Sequence, residues 1–163
     1  MSLELQPTTT TDLGFVLPAE NAPENSAFIG SWTRAEHEEA IANPKYWHQL
    51  IKENGENQGY LIAIDLRGEG HGIFLKRIVA VSKSRGIGRQ AIQSFVSTLS
   101  TPEPTHIWLS VSRENFRAQR SYSAVGFQEN PVTSAVRGEL QTATGGFADN
   151  SMLMFRTLES GSI

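Results

Sequence analysis

The run Ile73-Phe74-Leu75-Lys76-Arg77-Ile78-Val79-Ala80-Val81 is β-prone and apolar except for one Lys-Arg pair, and it leads into Ser82-Lys83-Ser84-Arg85-Gly86-Ile87-Gly88. A segment apolar on both faces has to lie inside a sheet that is covered on both sides. Beyond the glycines, Ala91, Ile92, Phe95, Val96 and Leu99 recur at helical spacing until Thr101-Pro102, which predicts an amphipathic helix. The middle of the chain is thus committed to a central strand, a glycine-bearing turn and a helix that folds back onto the sheet.

That turn has chemical consequences. The first N–H groups of a helix have no intrahelical partner, the helix dipole favours negative charge there, and glycine lets a ligand come close to the main chain. Arg85 and Arg89 add side-chain donors suited to phosphate, so a pyrophosphate would sit well at this position. Two other readings of the glycines stay open. One is an ordinary strand-to-helix turn with solvated basic residues. The other is a dinucleotide fingerprint, because Gly86, Gly88 and Ala91 satisfy G-x-G-x-x-A, although that motif should directly follow the first strand of a parallel unit.

Upstream, residues 47–52 and 59–66 read as strands joined through Asn54-Gly55, and with 73–81 they predict a three-stranded antiparallel meander. Leu3-Glu4-Leu5-Gln6 alternates before Pro7 as a short first strand would. Residues 8–31, with Pro18, Pro23 and a polar cluster at 21–26, read as loop with one short helix near 12–17. Such a long irregular segment is often a binding loop. Thr33 and Glu36 have capping-box spacing and open a helix over 33–42, which Asn43-Pro44 stops. Downstream the expectations are a strand at 107–111, a helix at 115–125, a strand region from Phe127 and a final strand at 147–158.

Size and composition exclude several classes. With 163 residues and 39% hydrophobic content the chain predicts one domain spanning 1–163. A net charge of -3 provides no global basic field for nucleic acid. No apolar run has the length of a membrane span and no export signal opens the chain, so the expected compartment is the cytoplasm, with no membrane partner. Zero cysteines and the unpatterned His37, His48, His71 and His106 argue against a metal site.

Together these segments resemble the GNAT (GCN5-related) N-acetyltransferases. Lys83-Ser84-Arg85-Gly86-Ile87-Gly88 matches the family's Gln/Arg-x-x-Gly-x-Gly/Ala signature at both glycines, with Lys83 departing at the first position. A second motif follows at the family's distance, where Trp108-Leu109-Ser110-Val111 leads to Asn115, Ala118, Tyr122 and Gly126-Phe127. The resemblance covers about residues 59–128, and Leu75-Lys76-Arg77-Ile78-Val79 is similar to the branch of ribosomal-protein N-terminal and polyamine acetyltransferases.

It implies an α+β layered fold with a central mixed, mostly antiparallel, splayed sheet of about six or seven strands and about four helices. It also implies an acyltransferase that uses acetyl-coenzyme A as cosubstrate and no metal, by direct amine attack in a ternary complex. Backbone around Ile78, Val79, Ala80 and Val81 would pair with pantetheine, an N–H near Val79 would stabilise the oxyanion, and Arg85, Gly86, Ile87, Gly88, Arg89 and Gln90 would hold the pyrophosphate. Asn115 would contact the cofactor, and Tyr122 would return a proton to the thiolate. The acceptor would be a primary amine of a small molecule or a peptide terminus, with homodimerisation left open. Glu24, Glu36, His71 and Glu129 are candidates for a base, each equally readable as a surface group, and Trp32, Tyr46 and Trp47 flank the expected acceptor side. A non-catalytic acyl-coenzyme A sensor is the alternative, and a nicotinamide-dependent oxidoreductase is a further one.

Overall fold

The computed structural model describes residues 3–26, 31–82 and 85–159. The strands β1 (Leu3–Pro7), β2 (Tyr46–Glu53), β3 (Glu56–Asp65), β4 (Ile73–Ala80), β5 (Thr105–Ser112), β6 (Gln128–Glu129) and β7 (Ser151–Leu158) form one seven-stranded sheet in the order β1-β2-β3-β4-β5-β7-β6. Each pair from β1 to β4 is antiparallel, β4 and β5 are the parallel pair, and β7 is antiparallel to both β5 and β6. The parallel pair β4 and β5 has antiparallel neighbours on both sides, β3 and β7, which is not the parallel sheet of a dinucleotide-binding fold. The β2–β3 hairpin turns on Asn54 at φ 52° and Gly55 at φ 81°, the left-handed pair of a type I′ turn.

Helices cover both faces. On one side α4 (Ile87–Thr98) buries Ala91, Ile92 and Phe95 against Leu61, Leu75, Ile107 and Met154, and α5 (Phe116–Ala124) lies beside it. On the other, α1 (Leu13–Asn21) buries Leu13 and Val16 against Leu50, Tyr60, Ile62 and Val79. α3 (Arg34–Ala42) joins that face, opened by a Thr33–Glu36 capping box with both reciprocal bonds made. α6 (Ser134–Thr144) buries Leu140 near Phe74, Trp108 and Leu153.

Three elements differ from the sequence expectations. Residues 8–31 are not mainly loop among the described positions, because α1 and the short α2 (Pro23–Ser26) occupy much of the segment. Pro18 sits inside α1, and the stripe of Leu13, Val16, Ala19 and Glu20 packs on the sheet regardless. α6 replaces part of the strand region expected after Phe127, since Thr133 caps it and Leu140 finds a core partner. The last strand begins at Ser151, because Phe147 turns inward onto Trp108 at a ring distance of 6.1 Å.

Candidate active site

β4 and β5 pair only at Ile73↔Ile107 and Phe74↔Trp108. Past these residues the strands part, and the second half of β4 pairs with β3 alone. The opening is a cleft of about 1010 Å³ whose walls are Leu75 to Ala80 on β4 and Leu109 to Ser112 on β5. The start of α4 and the first turns of α5 close one end. Among the described residues Lys76, Arg77, Arg89, Arg117 and Arg120 line the space with Glu114 as the one carboxylate, although the whole chain carries -3. Cations concentrated in a walled cleft draw an anionic ligand more strongly than the net charge suggests.

At the closed end, Gly86 takes φ 74° as the N-cap of α4 and offers no side-chain cap to the first turn. By contrast, Thr33, Asn115 and Thr133 each cap their helices through a side-chain oxygen. Among the described residues the N–H groups opening α4 therefore meet no side-chain acceptor, and they sit at a cleft lined by Gly86, Ile87, Gly88 and Arg89. A Cβ on Gly88 would meet nothing within 4 Å, so the room beside this main chain is real. Gly59 opposite Ala80 has another reason to be glycine: its Cβ would fall 2.0 Å from the Val79 carbonyl oxygen.

Of the expected cofactor residues, Ile78, Val79, Ala80, Gly86, Ile87, Gly88, Arg89 and Asn115 all line the cleft. Val81, Arg85 and Gln90 do not. Val81 is 41% exposed beyond the strand end, and the Arg85 guanidinium donates to Glu53 at 2.7 Å, which turns it toward β2. Gln90 lies beside Gly86, its amide 3.8 Å from where a Cβ would be. Lys83, the first signature position, lies outside the described residues. Asn115 uses its Oδ1 to accept from the Ala118 N–H at 3.2 Å, so its carbonyl oxygen holds the start of α5. Tyr122 lines the same cleft and packs on Phe127 at a ring distance of 5.9 Å. Burial pushes its phenol up to about 12, so the proton stays on oxygen at neutral pH.

At the other end, β4 carries a bulge. Ile62 pairs with Arg77 and Ala63 with Leu75, which leaves Lys76 as the extra residue. Leu75 and Ile78 consequently pack on the α4 side while Phe74 and Val79 pack on the other. Lys76 and Arg77, consecutive in sequence, come to the same face and meet the same ring. The Lys76 Nζ is 5.7 Å and the Arg77 guanidinium carbon 5.1 Å from the centre of Trp32.

Beneath them lies a buried polar chain that sequence reasoning missed. Glu20 on α1, fully buried, accepts from Arg77 at 2.7 Å, from the Tyr60 hydroxyl at 2.7 Å and from the Trp32 N–H at 2.8 Å. His37 Nε2 lies 3.1 Å from the same carboxylate, His37 Nδ1 is 2.9 Å from His48 Nε2, and His48 Nδ1 is 2.9 Å from the Thr8 hydroxyl. With neutral rings, the hydrogens have one consistent order: Thr8 donates to His48, His48 to His37, and His37 to Glu20. Burial pushes the Glu20 carboxyl up, but the bonds from His37, Tyr60 and Trp32 and the Arg77 charge outweigh it and hold it near 2. Burial, with Arg77 and His37 nearby, brings His48 down to about 4. The Tyr60 phenol is pushed well above its usual range by burial and by Glu20.

The base candidates fare differently. Glu36 closes the α3 capping box, and Glu129 pairs with Arg113 at 3.4 Å on the surface. His71 offers its carbonyl to the Trp108 indole at 2.7 Å. None of the three lines the cleft, and the side chain of Glu24 lies outside the described residues. Trp32 and Tyr46 sit near each other at 6.4 Å, whereas Trp47 packs on Phe95 beneath α4, away from them. The signal that could have exposed the buried chain was the Lys-Arg pair itself, two cations inside an otherwise apolar central strand.

No family model matches the chain. Relatives from Mycobacterium bovis and Mycobacterium tuberculosis, named as uncharacterized N-acetyltransferases, are 26% identical over 145 residues, covering 86% of this chain and 87% of theirs. Among solved structures, an acetyltransferase from Thermus thermophilus superposes with a TM-score of 0.70 at 22% identity, over 97% of this chain and 98% of that one. An aminoglycoside acetyltransferase solved with coenzyme A and kanamycin gives 0.68 at 19% identity, over 96% and 95%. No helix among the described residues is long and apolar enough to cross a membrane. A sheet splayed beside a glycine-opened helix is thus the fold of solved acetyltransferases along nearly its whole length, and the chain is similar in sequence to relatives named as N-acetyltransferases.

Proposed function

We propose that the chain transfers an acetyl group from acetyl-coenzyme A to a primary amine of a small molecule or a peptide terminus, as a single domain of 1–163. The observation that carries this reading is the cleft: it meets at one end a helix start whose N-cap residue offers no side-chain cap, with Arg89 beside it, and runs along a strand whose edge is open. Pyrophosphate oxygens would accept from the N–H groups of the first turn of α4, with Arg89 as a charged donor. Pantetheine would lie along Ile78 to Ala80 as an added strand. Arg85, Gln90 and Val81 would join only through side-chain movement or contacts outside the cleft wall. Solved neighbours in complex with coenzyme A share this fold, which supports the assignment.

In the reaction the neutral amine nitrogen attacks the thioester carbonyl carbon. A C–N bond forms and the carbonyl electrons move to oxygen, which a backbone N–H near Val79 would stabilise. Collapse of the tetrahedral intermediate breaks the C–S bond, Tyr122 gives its proton to the departing sulfur, and the ammonium proton passes through solvent to restore the Tyr122 phenol. The products are an amide and coenzyme A thiol. Tyr122 suits that role because its proton stays bound until a thiolate develops beside it.

Titration calorimetry against acetyl-coenzyme A, coenzyme A and NAD, followed by thiol release with an amine panel, tests the reading. Binding of both coenzyme A forms with amine-dependent thiol release is the expected result. No coenzyme A binding at millimolar concentration would overturn it, and binding without thiol release from any amine would favour a sensor.

A further inference from the structure

We propose that the acceptor amine carries a carboxylate, which the Lys76 ammonium holds at the end of the cleft away from the Gly86 turn; this rests on the acetyl-transfer reading above. The bulge is the first observation. Regular alternation would send Lys76 and Arg77 to opposite faces, and the extra residue brings both cations to one face beside Trp32. Among the described residues one carboxylate bonds to either of them, Glu36 acting on Lys76 only through its more distant charge. Glu20 is committed to Arg77 at 2.7 Å, with Tyr60, Trp32 and His37 filling its remaining acceptor sites.

Lys76 is left in excess. Among the described residues its ammonium makes one hydrogen bond, 3.3 Å long, to the carbonyl of Thr144 at the end of α6, and meets no carboxylate within ion-pair distance. An ammonium has three donors, and a partly buried cation without a counter-ion costs free energy that an arriving anion would return. Burial and the neighbouring Arg77 outweigh the Glu36 charge and bring it down to about 8, the direction expected of a cation without a close partner. Lys76 and Arg77 line the cleft itself, so the excess charge faces ligand space. A polycationic acceptor would meet like charge here, whereas an amine bearing a carboxylate would complete the pair and hold its nitrogen toward the thioester. The coenzyme A phosphates do not compete for this position. Lys76 lies four residues up an extended strand from Ala80, roughly 13 Å before the turn that would hold them.

The experiment is calorimetry on the coenzyme A-saturated protein with matched product pairs. Each pair is an N-acetyl amino acid and its carboxamide, across small, aromatic, acidic and basic side chains. At least one free acid is expected to bind ten- to a hundredfold tighter than its amide. Lys76→Met should erase that margin, Lys76→Arg should keep most of it, and both variants should bind coenzyme A as the parent does. Equal binding of acid and amide in every pair, failure of all of them to bind, or a margin that survives in Lys76→Met overturns the proposal. A fall in turnover with every amine and no change in the margin would make Lys76 a proton acceptor and would equally overturn it. Loss of coenzyme A binding in the parent protein would instead remove the acetyl-transfer reading, and a melting curve for each variant separates either result from misfolding.

Discussion

At one end of the cleft, Gly86, Ile87, Gly88 and Arg89 follow one another in sequence and line the space directly. At the other, Arg77 is fixed by Glu20, 57 residues away in sequence, and Glu20 is in turn bound to His37, 17 residues away, and Tyr60, 40 residues away. The first end depends on backbone shape and needs few tertiary contacts beyond the packing of α4. The second depends on a charge buried among partners from α1, α3, β2, β3 and β4. Damage to the glycine end should therefore cost binding and spare the fold, and damage to the buried end should do the reverse.

The sharpest break of that contrast would come from the glycines. Gly88→Glu should abolish coenzyme A binding while the melting temperature stays within a few degrees, because the side chain meets open space and places a carboxylate where phosphate would lie. Gly86→Glu should do the same with an added folding cost, since φ 74° is strained for any L side chain. Calorimetry showing parent-like affinity in either variant would move the phosphate site elsewhere.

Glu20→Gln tests the opposite end. Arg77 would remain buried without its counter-charge, a situation that costs about 3 to 5 kcal/mol. Urea unfolding at pH 7 should show a loss of that size, with coenzyme A affinity within about threefold of the parent at temperatures where the variant is folded. A loss below about 1 kcal/mol would mean the buried chain is not what holds this face together.

Between the two ends lies Tyr122. Tyr122→Phe keeps the ring against Phe127 and removes only the hydroxyl, so turnover should fall roughly ten- to a thousandfold with cofactor affinity unchanged. Steady-state kinetics with an accepted amine decide the matter, and unchanged turnover would leave Tyr122 as a packing residue.

What could be read from the sequence follows the same division. The Gly86 turn, the Asn54-Gly55 hairpin and the Thr33–Glu36 capping box are local patterns whose physics is complete within a few residues, and they signal themselves without tertiary information. The bulge at Lys76 is not of that kind. It sets two adjacent residues on one face against the alternation that sequence reading relies on, and it depends on the register with β3. Glu20 lies in a stretch whose Pro18, Asn21 and Pro23 read as breakers, so its helical spacing with Leu13 and Val16 was masked. His37 and His48 are 11 residues apart and come together only when α3 folds over β2. α6 was hidden by Val132, Thr133 and Gly138, and packing of Leu140 outweighed their preference.

The smallest effect should be a difference in acid sensitivity that localises to the buried end. His48 is held near 4 and Glu20 near 2, both below their usual values of 6.5 and 4.5. For each group the unfolded chain binds the proton more tightly than the folded one, so stability is fully present above the unfolded value and is lost as pH falls toward the folded one. The His48 contribution should disappear between about pH 6.5 and 4, and the Glu20 contribution between about 4.5 and 2. Across the upper window the parent should lose on the order of 1 to 3 kcal/mol. His48→Gln cannot take up that proton, so its unfolding free energy should be lower at pH 7 for want of the His37 and Thr8 bonds, yet flatter by about 1 to 2 kcal/mol between pH 6.5 and 4. Denaturant unfolding at closely spaced pH values, on parent and variant together, measures the two slopes. Parallel curves would show that acid acts through some other group. Converging curves, with coenzyme A affinity equally pH-insensitive in both proteins over that window, would separate the end of the cleft that carries the fold from the end that carries the phosphate.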